Sequence, residues 1–126
     1  MNRSLQTMLK RSSAVALALG LAVPAAIGQA DDPQAKAQAK LAFDVAKRFF
    51  RDGMFATSME RFDTFAKMHP GSPHHAEAVL LKGQARFQLG QFEGVAEELT
   101  AGLQAAGPWT DRYLFWIGEA QFALGH

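Results

Sequence analysis

The chain has 126 residues, no cysteine, and a balance of 13 Lys and Arg against 12 Asp and Glu. The lack of cysteine excludes disulfides, thiol catalysis and thiolate metal sites. A chain of this length forms one small domain, and its near-neutral charge does not favour nucleic acid or an anionic membrane surface as a partner.

Residues 1–30 have the three-part organisation of a secretory signal peptide. Three basic residues form a positive start, an apolar run extends from Ala14 to Val23, and small residues lead to Ala30. The run is shorter than the roughly 18–20 residues that a membrane-spanning helix requires, which argues against an anchor. Cleavage is predicted after Ala30, with Ala25 as the alternative. Lys10-Arg11 is a poor twin-arginine signal, so the general secretory route is predicted.

Removal of this leader changes the charge balance of the chain. The leader contains three basic residues and no acidic residue, so the remaining 96 residues carry ten Lys and Arg against twelve Asp and Glu, a net charge of −2. A lipoprotein would also need a cysteine at its processed N-terminus. The sequence therefore predicts a periplasmic or secreted protein with no membrane span after cleavage and no affinity for nucleic acid.

Five helices are predicted beyond the leader, and strand patterns are absent from the sequence. Their predicted bounds are 35–52, 55–68, 73–89, 92–106 and 111–124. Gly53 and Gly90 stand where a helix ends in a sharp turn, as left-handed C-terminal glycines do. Ser72 and Thr110 are predicted N-caps, because each hydroxyl precedes a helical pattern.

Apolar residues at helical spacing predict which faces form the core. The predicted core positions are Phe43, Ala46, Phe50, Phe55, Met59, Phe62, Ala66, Phe92, Val95, Ala96, Leu99 and Leu103.

A repeated segment is the most informative feature of the sequence. The pattern Gly-x-Ala-x-Phe-x-Leu-Gly occurs at residues 83–90 and again at residues 118–125, an offset of 35. A weaker copy precedes it by 37 residues, with Phe50, Gly53 and Phe55 matching Phe87, Gly90 and Phe92. A period in the mid-thirties is typical of a helical repeat array.

These residues resemble the frame of the tetratricopeptide repeat family. The matching positions are Ala46, Phe49, Gly53, Phe55, Ser58, Phe62 and Pro70 in the first unit, Gly83, Phe87, Gly90, Phe92 and Leu99 in the second, and Gly118, Phe122 and Gly125 in the third. The segment Leu114–Ala120 is similar to the bacterial envelope branch, which includes the Tol-Pal-associated periplasmic coordinator and the outer-membrane assembly lipoprotein. The resemblance implies an all-α helix-turn-helix solenoid of about two and a half repeats.

The predicted organisation is a signal peptide at 1–30, a short linker or helix start at 31–38, and a repeat domain at 39–126. The domain divides into units at 39–75, 76–110 and a partial unit at 111–126. The family binds peptides and proteins, so the resemblance implies a scaffold or adaptor in cell-envelope assembly or maintenance. The alternative is a structural spacer, or the front part of a longer repeat protein, that self-associates through its last helix.

The resemblance also implies a binding groove lined by the first helix of each unit. The candidate groove residues are Lys40, Phe43, Lys47, Arg51, Leu80, Gln84, Gln88, Arg112 and Phe115. Lys47 and Arg51 lie one helical turn apart and could clamp a carboxylate, although a solvated helix face is the simpler interpretation. A candidate terminal interface consists of Leu114, Trp116 and Ile117 on the last helix, because consecutive large apolar residues cannot all face inward.

The histidine cluster His69, His74 and His75 is the one candidate metal site, and the spacing favours a solvated loop over a ligand set. Ser72 beside these histidines lacks an orienting acid and an oxyanion loop. The sequence therefore predicts a protein that is not an enzyme and that has no cofactor or metal.

Overall fold

The computed structural model of the protein describes residues 32–126, and residues 36–126 of this part form one compact unit. The described part contains five α-helices and no strand, so the predicted all-α class is confirmed. The helices are α1 (Pro33–Arg51), α2 (Phe55–Met68), α3 (His75–Gln88), α4 (Phe92–Gly102) and α5 (Thr110–Leu124), with short 3-10 turns at Leu103–Ala105 and Gly107–Trp109. The predicted signal peptide lies outside the described residues.

Three of the helices end in the same way. Gly53, Gly90 and Gly125 follow α1, α3 and α5 with φ values of 75°, 77° and 84°. In each case the amide of the next residue donates a hydrogen bond to a carbonyl five residues earlier; the pairs are Met54 with Phe49, Gln91 with Arg86, and His126 with Gln121, at 2.9–3.0 Å. Glycine adopts this left-handed conformation without a Cβ clash, which allows the tight reversals after α1 and α3.

Two predicted N-caps are corrected by the structure. Helix α3 begins at His75, and the Ser72 hydroxyl instead accepts a hydrogen bond of 3.1 Å from the amide of His74, within the turn before the helix. Thr110 is the first residue of α5, and its hydroxyl donates to the carbonyl of Gly107 at 2.7 Å. Both hydroxyls therefore stabilise the preceding turn, because local acceptors and donors compete with the cap position.

A first core cluster joins α1, α2 and the start of α3. Phe43 is 2% exposed, and its ring centroid lies 6.0 Å from that of Phe62 and 5.4 Å from that of Phe65. Ser58 is fully buried where α2 meets α1, and its hydroxyl donates to the carbonyl of Ala46 at 3.1 Å. This bond satisfies a polar group that would otherwise be buried at a cost of about 1–3 kcal/mol.

The buried face of α2 differs from the predicted one. Met59 and Ala66 are half-buried, whereas Ser58 and Phe65 take the fully buried positions. The face is rotated because α2 contacts α1 on one side and α3 on the other. Contacts with both α1 and α3 therefore determine which side of α2 is buried.

A second core cluster joins α3, α4 and α5. Leu80, Val95, Leu99, Tyr113 and Ile117 are its large members, and each is at most 9% exposed. Burial and the charge of Glu98 raise the pKa of Tyr113 to about 12. The Tyr113 hydroxyl donates to the carbonyl of Ala76 at 2.6 Å, which ties α5 to the start of α3.

A charged network connects α2, α3 and α4. The Nζ of Lys82 lies 2.7 Å from Asp63 Oδ1 and 2.7 Å from Glu98 Oε1, although Lys82 is only 7% exposed. Hydrogen bonds from Lys67 and from Lys82 hold the pKa of Asp63 below its ordinary value. Arg86 Nε approaches Glu98 Oε2 at 3.4 Å, which is long for a hydrogen bond and counts as an ionic contact.

Candidate protein-binding surfaces

The candidate groove residues of α1 are divided between solvent and core. Lys40 is exposed and pairs with Asp44 at 2.7 Å, and this hydrogen bond lowers the pKa of the Asp44 carboxyl. Phe43 is buried against α2, so its predicted place in a groove is corrected. Lys47 lies 3.7 Å from Glu77 of α3 and 5.2 Å from the centre of the Phe43 ring.

The predicted Lys47–Arg51 clamp is only partly available to a ligand. Lys47 is already engaged with Glu77 across the α1–α3 boundary. Arg51 is exposed and makes no ion pair with another residue in the described range 32–126. A carboxylate ligand would therefore meet one unpaired cation and one cation that is shared with an internal acid.

The candidate groove residues of α3 and α5 show the same division. Leu80 is 1% exposed and belongs to the second core cluster, so its predicted place in a groove is also corrected. Gln84 is half-buried, and Gln88 is exposed. Arg112 is exposed, with its guanidinium carbon 5.4 Å from the centre of the Trp109 ring, and Phe115 is 57% exposed.

The predicted terminal interface on α5 is rearranged by packing. Ile117 is 9% exposed and joins the second core cluster, so it does not belong to an interface. Trp116 is half-buried, and its ring centroid lies 5.1 Å from that of Phe87 on α3. Leu114 remains 50% exposed.

Phe122 is the most exposed large apolar residue in the described part of the chain, at 80%, and it was not among the candidate interface residues. Its repeat counterpart, Phe87, packs against Phe92 with the ring centroids 4.9 Å apart. The sequence repeat already contained this signal, since it aligned Phe122 with Phe87 and left Phe122 without an equivalent of Phe92 within residues 32–126.

Two of the three clustered histidines pack against phenylalanine rings of the first core cluster. His74 stacks on Phe43 with the ring centroids 4.8 Å apart, and His69 lies 5.2 Å from Phe65. Within residues 32–126, no group of three potential metal ligands lies close enough together to hold an ion. The stacked His74 ring and the tilted His69 ring therefore contribute to packing around the first core cluster.

A shallow apolar groove between α1 and α2 was not predicted from the sequence. It is lined by Leu41, Val45, Arg61 and Met68, of which Leu41 and Met68 are 64% and 68% exposed. Leu41 and Val45 lie one turn apart on α1 and Met68 ends α2, so only the packing of the two helices brings these three side chains together.

Comparisons with models of protein families, with curated proteins and with solved structures find no match to this chain. Of the helices within residues 32–126, none has the length and apolar character needed to cross a membrane.

Proposed function

We propose that residues 39–126 form a tetratricopeptide-type repeat module that binds other proteins. The repeated local geometry supports this assignment. Phe50 and Phe55 meet edge to face across the α1–α2 turn at 5.4 Å, and Phe87 and Phe92 do so across the α3–α4 turn at 4.9 Å. Equivalent positive-φ glycines follow α1 and α3. Two successive helical hairpins are therefore built from the same residues at the same positions.

The observation that carries the binding role is the exposed aromatic face of α5. Phe115 and Phe122 are 57% and 80% exposed on the same helix, with Leu114 beside them at 50%. A contiguous exposed apolar patch typically marks a site of protein association, because solvation of such a surface is unfavourable. The chain would present this face and the exposed polar positions Arg51, Gln88 and Arg112 to its partner.

Site-specific photo-crosslinking in the full chain tests this proposal. A photoreactive amino acid replaces Leu114 on α5 or Gln88 on α3, and Glu97 on the exposed side of α4 provides the matched control. We expect a discrete adduct with another protein from position 114 or 88 in an intact cell envelope and none from position 97. Adducts that are equal at all three positions, or absent from all of them, would contradict a binding role.

The proposed location is the periplasm or the exterior of the cell, and the proposed process is cell-envelope assembly or maintenance. The charged start, apolar run and small-residue end of residues 1–30 support export, and the lack of a cysteine argues against a lipid anchor. N-terminal sequencing of the protein recovered from an envelope fraction should begin at residue 31, or at residue 26 for the alternative cleavage. An intact Met1 in that fraction would contradict processing.

The second candidate function is a structural spacer that associates with its own copies through α5. The same exposed face favours it, since two open helices can cover each other. Sedimentation of the full chain separates the two candidates, because self-association through α5 would give a concentration-dependent dimer that Phe115→Ser dissociates.

A further inference from the structure

The sequence repeat places three sets of residues at equivalent positions on α1, α3 and α5. With offsets of 37 and 35 residues, the sets are Phe43, Leu80 and Phe115; Ala46, Gly83 and Gly118; and Phe50, Phe87 and Phe122. Within each helix, the members are three and four residues apart and therefore share one face. In every copy a small residue lies between two large apolar ones.

This face is covered on α1 and on α3 by the next helix of the chain. Phe43 and Leu80 are 2% and 1% exposed. On α3 the cover is close, because a Cβ added to Gly83 would lie 3.2 Å from the methyl carbons of Leu99 on α4. The small residue therefore makes room for a large side chain of the covering helix.

The same face of α5 is open. Its two large residues, Phe115 and Phe122, are 57% and 80% exposed. A Cβ added to Gly118 would meet no atom within 4 Å, in contrast to the crowded position at Gly83. Within residues 32–126, the third copy of the surface thus has the composition of a covered helix face, but no helix covers it.

We propose that this face of α5 binds an amphipathic helix supplied by another protein, with the apolar pattern of α2 and α4. Those two covering helices present an aromatic residue, a small or β-branched residue three positions later, and a large apolar residue seven positions later. The residues are Phe55, Ser58 and Phe62 in α2, and Phe92, Val95 and Leu99 in α4. This inference rests on the proposed binding function and specifies the chemistry of the partner.

The charges around this face of α5 indicate which residue the partner helix carries next to its central apolar residue. On α4, Glu98 precedes Leu99 and binds Lys82 and Arg86 of α3. The equivalents of those two cations on α5 are Ile117 and Gln121. An acid at the position of Glu98 would therefore have no cationic partner on α5, so the partner helix carries a neutral residue there.

A second copy of α5 fits the face less well than such a helix. The cover of α3 places Leu99 against the small residue at the centre of the face. The corresponding face of α5 has Gly118 at its own centre, so a second copy offers no side chain at the centre of its face to fill the space. The occupant is therefore a helix with a large apolar residue at its centre.

The experiment measures fluorescence anisotropy of a labelled peptide with the sequence of residues 91–105, changed only by Glu98→Gln, during titration with the full-length chain. We expect saturable binding that weakens at least about tenfold when the peptide also carries Leu99→Asp and when the chain carries Gly118→Val. A peptide that keeps Glu98 should bind more weakly than the peptide with the Glu98→Gln change. Absence of saturable binding would overturn the proposal.

Gly118→Ala provides the control for folding. The free chain should keep its helical content and melt at an equal or higher temperature, because the added methyl meets nothing and alanine favours the helix, while affinity for the peptide falls. Equal peptide affinity of Gly118→Ala and the unsubstituted chain would overturn the proposal, as would a dimer in sedimentation that Phe115→Ser dissociates. These failures leave crosslinking from Gln88 unaffected, so they are distinguishable from failure of the proposed function.

Discussion

Lys82 and Glu98 form an ion pair of 2.7 Å between α3 and α4, and the lysine side chain is only 9% exposed. The same ammonium lies 2.7 Å from Asp63 on α2. A cation with so little access to water requires ionic partners, because an unpaired buried charge is strongly unfavourable. Three successive helices therefore meet at one side chain.

Lys82→Met should lower the free energy of unfolding by about 1.5–3 kcal/mol, the range for hydrogen bonds to charged groups. The loss is limited because Asp63 retains Lys67 and Glu98 retains Arg86. Urea denaturation measures the change. Lys67→Met is the matched control, since Lys67 contacts the same aspartate but is 75% exposed, and its loss should cost about 0.2–1 kcal/mol. Equal effects of the two substitutions would show that burial of Lys82 has no energetic consequence.

Tyr113 should make the stability of the protein sensitive to alkaline pH. Burial raises the pKa of its hydroxyl from 10.0 to about 12, so the neutral form is favoured in the folded state. Its contribution is complete below pH about 10 and declines by on the order of 2 kcal/mol as the pH rises to about 12. Chemical denaturation from pH 8 to 11 measures the first half of this decline.

Tyr113→Phe is the control for the pH experiment. It removes the titrating group and the hydrogen bond to Ala76, so the variant should be less stable at pH 8 but lose less stability between pH 8 and 11. A parallel decline in the two proteins would mean that other groups cause the alkaline sensitivity.

Gly90→Ala should destabilise the protein by roughly 1–2 kcal/mol, because φ is 77° at this position and a Cβ disfavours left-handed backbone. No atom lies near the added methyl, so the effect would be purely conformational. Gly71→Ala is a matched control with equal space and no positive φ. Thermal unfolding should place the Gly71 variant close to the unsubstituted protein. A similar loss at both positions would contradict the conformational explanation.

Two phenylalanines at different depths should differ in their response to truncation. Phe62→Ala removes a fully buried ring from the first core cluster and should cost about 3–5 kcal/mol. Phe122→Ala removes a ring that is 80% exposed and should change the stability of the free chain by less than about 0.5 kcal/mol. Differential scanning calorimetry of the two variants measures these losses of stability. A large loss for Phe122 in the free chain would show that its face is already covered.

The local features of the fold could be predicted from the sequence. The predicted bounds of α2, 55–68, are those that the structure shows. The left-handed glycines Gly53 and Gly90 occur at the helix ends where the sequence predicted them. The burial of Phe43, Phe62 and Leu99 follows from helical spacing of apolar residues. These features depend on residues within about one helical turn of each other, so a short stretch of the sequence is enough to predict them.

The candidate site was predictable only in part, because burial on α5 depends on distant neighbours. Four consecutive apolar residues, Leu114 to Ile117, point around the whole helix, and the sequence does not say which of them α4 covers. The structure places Ile117 in the core and leaves Phe115 open. It also leaves Phe122 exposed, a residue that lies outside the run of four but matches Phe87 in the repeat.

The sequence by itself determined the all-α class, the bounds of α2, the left-handed glycines that follow α1 and α3, and the burial of part of the apolar core, since these arise from backbone preference and periodicity along one segment. Only the tertiary structure decided that Lys82 joins Asp63 and Glu98, which are 19 and 16 residues away along the chain. It also decided that Gly83 is crowded by Leu99 whereas Gly118 is open. Such contacts depend on which helices lie side by side, and that is a property of packing between segments that no single segment contains.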